Sequence, residues 1–214
     1  MTVRLVLINS CQVFDNHSEI FVGQLDKALN KTGCIAARAL GDKWNKKMPA
    51  NSANDFDDEP YFFSSDTKKI FCSPLQRSYE TAQLMLGENH FPIETVDALT
   101  EINYGEWEGL NKKDVDSTIY RRWLKNPMVF SPPMGETGLA VSARILPFIY
   151  TILLENDQNI VVMVGHEFIN KIILNSVAGV SFWFYKDIFL QNPGCINIID
   201  FLSIDKAVVH MING

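Results

Sequence analysis

Two short aliphatic runs frame this chain. Residues 3–8 (VRLVLI) and 159–164 (NIVVMV) are almost continuously apolar, and each ends abruptly in polar residues, Asn9-Ser10 and Gly165-His166-Glu167. A run with neither helical nor alternating period fits a strand covered on both faces, as in a parallel sheet with helices above and below. Residues 69–72 and 93–96 read as two further short strands, and 196–201 with 207–211 as a terminal hairpin. Helices are expected over 25–44, from Ser73-Pro74 onward, over 136–156 with a kink at Pro147, and over 167–178. Proline at the first helical position suits the Ser73-Pro74 opening, with Leu75, Tyr79, Ala82 and Leu86 as the inner face. The expected fold is α/β, a three-layer α/β/α sandwich with a mostly parallel central sheet. At 214 residues the chain reads as a single domain, 1–214, with an insertion at about 42–68. That stretch is rich in Asn, Asp, Lys and Ser, yet carries Trp44, Phe56, Tyr61, Phe62 and Phe63.

Charge and composition narrow the function. Apolar types make up 47% and the net charge is −6, so the chain reads as globular without an electrostatic footprint for nucleic acid. The start, MTVRLVLINS, is too short for a secretory leader, and no apolar run spans a bilayer. A cytoplasmic protein without membrane or nucleic-acid partners is therefore expected. The four cysteines, Cys11, Cys34, Cys72 and Cys195, form no CxxC pair, and neither a metal site nor a cofactor is expected. The aromatic run at 181–185 (SFWFY) is a candidate homodimer contact.

In open α/β sheets ligands bind beyond the carboxyl ends of the strands. The residues that follow the expected strands are Asn9-Ser10-Cys11, then Ser73 to Arg77, then 99–109 (LTEINYGEWEG), then Gly165-His166-Glu167. A guanidinium, a carboxylate, an imidazole and a hydroxyl would converge on one rim, making an anion pocket with acid–base equipment.

At these residues the sequence resembles the histidine phosphatase (phosphoglycerate mutase-like) superfamily. SPLQRSYETAQ is similar to its S-x-L-x-R-A-x-x-T-A segment, LTEINYGEWEGL to L-x-E-x-x-Y-G-x-W-E-G, PPMGET to P-x-G-E-S/T, and VVMVGHE to the strand before the second histidine. Asn16, Phe21, Gly23, Asp26, Leu29 and Gly33 fall where phosphoglycerate mutases carry the same residue types. The resemblance implies Arg77 as phosphate-binding arginine, Glu101 as proton donor, His166 as second pocket histidine, and Asn16 and Glu136 as further ligand contacts.

It also exposes a departure. The family opens on Arg-His-Gly, whose histidine attacks phosphorus, and this register reads Asn9-Ser10-Cys11. A neutral imidazole attacks without prior deprotonation, whereas a serine needs an adjacent base. Three outcomes stay open. The pocket, with Asn9 and Cys11 as ligand contacts, binds a small anionic or polyol ligand or a partner without phosphohistidine chemistry. Alternatively, Ser10 or Cys11 is a new nucleophile, or Glu101 and His166 do acid–base work on a non-standard substrate, with Ser10, Glu101 and His166 as a Ser-His-Glu set. The third outcome is a phosphatase or mutase of some phosphate ester.

Overall fold

The computed structural model describes residues 2–15, 19–45, 70–88, 91–156, 159–181 and 188–214. Six strands, β1 (Val3–Asn9), β2 (Ile70–Cys72), β3 (Ile93–Thr95), β4 (Ile160–Gly165), β5 (Ile196–Ser203) and β6 (Lys206–Met211), form one sheet in the order β3-β2-β4-β1-β5-β6. The first four in that order run parallel, and β5 and β6 are antiparallel additions. Helices α1 (Lys31–Asn45), α2 (Gln76–Leu86), α3 (Ser117–Lys125), α4 (Gly138–Glu155) and α5 (Glu167–Val177), with short 3₁₀ turns at Asp97–Leu99 and Gly105–Trp107, complete the described elements.

The period of two along each strand builds the three layers. Leu5, Leu7, Val161, Met163 and Ile199 pack with Val141, Ile145, Ile169 and Ile172 of α4 and α5. Their neighbours Val6, Ile8, Val162, Val164 and Ile198 face Ala82, Met85 and Leu86 of α2 on the other side. Strands β1 and β4 are buried end to end, as expected of strands sandwiched by helices. Helix α4 is apolar and long enough by composition to cross a bilayer, and here it buries Val141, Ile145, Ile149, Ile152 and Leu153 in the same hydrophobic cluster as the sheet and α5.

Several boundaries differ from the expectation, each for a local reason. The first helix starts at Lys31, six residues later than the apolar spacing suggests. Asn30 caps it, its Oδ1 accepting from Gly33 N at 2.7 Å and its carbonyl from Cys34 N at 2.9 Å. Helix α2 starts at Gln76, so Pro74 lies before it, and its buried face is Arg77, Ser78, Thr81, Ala82, Met85 and Leu86. Tyr79, expected on that face, is 37% exposed. Helix α4 continues through Pro147. Pro147 and Ala143, whose carbonyl loses its usual donor, both lie on the exposed side where water can replace it. Helix α3, missed in the sequence, is capped by the Asp116 carboxylate on Thr118 N and Ile119 N. Residues 42–45 of the expected insertion continue α1, and 46–69 lie outside the described residues, as do 182–187 of the aromatic run.

Candidate functional site

Strand register gathers the candidate residues. Asn9 is paired with Gly165 across β1 and β4, and Cys72 with Val164 across β2 and β4. The next residue of each strand, Ser10, His166 and Ser73, therefore emerges at one carboxyl edge. A cavity of about 540 Å³, open to solvent, lies there, walled by Asn9, Ser10, residues 20–23, Arg77, Glu101, Tyr104, Lys112, His166 and Glu167.

His166 stands at the start of α5 and is buried. Its Nδ1 is 3.2 Å from Ser10 Oγ, and its Nε2 is 2.8 Å from Ser73 Oγ and 3.2 Å from Ser78 Oγ. Both ring nitrogens are thus met by hydroxyls. The Ser-His-Glu set, one of the open outcomes, does not assemble, because Glu101 turns its carboxylate to main-chain amides, Ile102 N at 2.9 Å and Phe168 N at 3.2 Å. Burial raises the Glu101 carboxyl to about 7, with those amides and Arg77 pulling the other way.

Arg77 sits in the first turn of α2 with 3% exposure. Burial lowers it from its usual value, and Glu101, Asp26 and Glu108 oppose that. Its guanidinium donates to Gly23 O at 2.6 Å and Leu25 O at 3.1 Å. Gly23 adopts φ 52°, where a side chain would collide with the Glu108 carboxylate and Tyr104. The guanidinium is therefore held against the cavity by a loop that only glycine can shape.

Glu136 is not a wall of the cavity, contrary to what the resemblance implies. Its Oε2 accepts from Asn103 N at 2.9 Å and from Arg144 at 3.2 Å. Arg144 also donates to Ala98 O and Glu101 O, so this pair braces the segment that carries Glu101. Asn9 borders the cavity, but its amide donates away from it, to Gln191 O at 3.0 Å and Asn192 O at 3.1 Å. Cys11 does not line the cavity either. It packs with Val13, Val22, Leu29 and Ala37, and burial pushes its thiol up to about 11, so a thiolate nucleophile does not form there. Asn16 lies outside the described residues. Sequence reasoning missed Lys112 on the walls and the contacts of Ser73 and Ser78 with the imidazole, and it gave no role to Tyr104 or Glu167 within the segments it placed at the rim. Lys112 lies two residues beyond the YGEWEGL segment, its ammonium 5.8 Å above the Phe21 ring, and its basicity is lowered by burial. Among the described residues, no group of three or more His, Cys, Asp or Glu gathers to hold a metal.

Residues 59–214 match the histidine phosphatase superfamily (branch 1). The chain is 28% identical over 138 residues to the adenosylcobalamin/alpha-ribazole phosphatase of Escherichia coli, covering 61% of this chain and 66% of that enzyme. To the 2,3-bisphosphoglycerate-dependent phosphoglycerate mutase of Methylorubrum extorquens it is 33% identical over 158 residues, 70% of this chain and 66% of that enzyme. The structure of mycobacterial hydrolase 1 aligns with a TM-score of 0.81 at 19% identity, covering 100% of this chain and 99% of the other. The alpha-ribazole phosphatase of Shigella flexneri aligns with a TM-score of 0.79 at 22% identity, covering 99% and 96%.

Proposed function

This chain belongs to the histidine phosphatase superfamily, and we propose that within it the protein binds a small, singly charged anion or polyol without forming a phosphohistidine at the end of β1. One observation carries the reading. The residue that leaves β1 into the cavity, facing His166 at 3.2 Å, is Ser10, a hydroxyl. By the resemblance, the attacking imidazole belongs at this position. The neighbouring arginine of the family motif is Asn9 here, and its amide is committed to the main chain of residues 191 and 192.

The wall charges set the ligand class. Arg77 and Lys112 are opposed on the same walls by Glu101 and Glu167. Two of the Arg77 donors are already engaged with carbonyls. A charge-assisted hydrogen bond contributes roughly 1.5–3 kcal/mol, so a site short of one guanidinium holds a phosphate dianion weakly. A carboxylate with neighbouring hydroxyls fits the balance better.

Calorimetry with D-glycerate and inorganic phosphate tests this. The expected result is saturable glycerate binding with phosphate weaker than micromolar. Incubation with radiolabelled phosphate esters is expected to leave no acid-labile label on a histidine. Acid-labile phosphate on His166 would overturn the reading.

A further inference from the structure

We infer that Ser73 fixes the protonation of His166 and thereby makes the Ser10 hydroxyl a hydrogen-bond donor to the ligand, not a nucleophile. This deepens the proposed function and rests on it for the presence of an anion in the cavity.

Ser73 and Ser78 are both fully buried. The Ser78 proton has an acceptor in Gly165 O, at 3.3 Å. Ser73 Oγ already accepts from Leu75 N at 3.3 Å. Among the described residues, the acceptor within reach of the Ser73 proton is His166 Nε2, at 2.8 Å. If Nε2 carried a proton, the Ser73 proton would be buried without an acceptor, an arrangement that folded proteins avoid. Nε2 therefore presents its lone pair, and the neutral ring carries its proton on Nδ1.

That assignment settles the direction of the next bond. The Nδ1–H donates to Ser10 Oγ across the 3.2 Å contact, so the same nitrogen cannot accept the serine proton. Without a base at its oxygen, a serine is a poor nucleophile. Its proton turns instead into the cavity, beside Arg77 and Lys112. Together they form a row of donors suited to a ligand that offers acceptor oxygens, a carboxylate above all.

The test is a two-bond ¹H–¹⁵N correlation spectrum of histidine-labelled protein at pH 8, with His166 assigned by its absence in His166→Gln. The expected spectrum shows the proton on Nδ1. In Ser73→Ala, Nε2–H can donate to Ser78 Oγ, so the proton is expected to move to Nε2, while Ser73→Thr keeps it on Nδ1. A fluorophosphonate supplies the chemical readout. Ser10 Oγ would bond to phosphorus, the P–F bond would break with loss of fluoride, and the serine proton would pass to His166 Nδ1. The wild-type Ser10 peptide is expected to stay unlabelled, Ser73→Ala to gain the label, and the Ser10→Ala/Ser73→Ala double variant to lose it. A wild-type ring protonated at Nε2, or ready labelling of wild-type Ser10, would overturn the inference even if Ser73→Ala failed to fold. An unmoved tautomer in folded Ser73→Ala would also overturn it. Glycerate binding is measured separately, so a failure of the ligand reading leaves the tautomer result standing, and the reverse holds too.

Discussion

Where the cavity meets α2, α5 and the 99–112 segment, its polar groups are ionisable: Arg77, Glu101, Lys112 and Glu167. Where it meets β1, it is bordered by an amide and a hydroxyl, Asn9 and Ser10. Behind Asn9 lies a buried web of amides. Gln191 Oε1 accepts from Asn170 at 3.2 Å and Asn197 at 2.9 Å, and its Nε2 returns to Asn197 Oδ1 at 2.8 Å. Asn197 also donates to Leu7 O at 3.2 Å, tying the web to β1 itself. The charged flank is equipped to meet a ligand, and the amide flank chiefly holds the chain. Asn9 thus has a structural use at the edge of the cavity, whatever ligand the cavity takes.

The widest separation between the flanks is expected in pH dependence. Glu101 titrates near 7 when folded, against an ordinary value of 4.5. Between those values the folded carboxyl keeps a proton that the unfolded one has released. Its contribution to stability is therefore complete below the lower value and is lost as pH rises to about 7, on the order of 3 kcal/mol across that window. Denaturant unfolding from pH 4 to 8 should show the decline, and Glu101→Gln should flatten it. An unchanged slope in the variant would place the titration elsewhere.

A smaller contrast is expected in affinity. Arg77→Met should weaken glycerate binding by ~100-fold in calorimetry, since it removes a charged donor from the wall. On the amide flank, Gln191→Leu should instead destabilise the fold by about 2 kcal/mol in denaturant melts, from orphaned amide partners. The affinity of its folded form should stay within about threefold, because Gln191 is not a cavity wall. A large affinity loss there would break the division of labour. The slightest effect belongs to Cys11. Its thiol is expected to resist iodoacetamide at pH 8 in the native state and to react only on denaturation, as mass spectrometry of the modified peptide would show.

Much of this was legible in the chain. Strands 3–8 and 159–164 declared themselves because a run buried on both faces needs no partner to be recognised. The positions of Ser10, Arg77, Glu101 and His166 at one rim followed from strand ends and motif spacing. Glu136 misled, because a motif gives a residue's address and not the direction of its side chain. The opening of α1 was misplaced because the Asn30 cap outweighed the apolar spacing before it.

Local covalent order therefore determined the alternation of strands and helices, the family resemblance, and the presence of a hydroxyl at residue 10, where β1 ends. Tertiary packing alone decided which polar groups meet. Ser73 reaches His166 across 93 residues of chain, and Asn9 reaches the main chain of Gln191 across 182. Periodicity and spacing are short-range properties, whereas a hydrogen bond depends on tenths of an ångström that only register and burial can set.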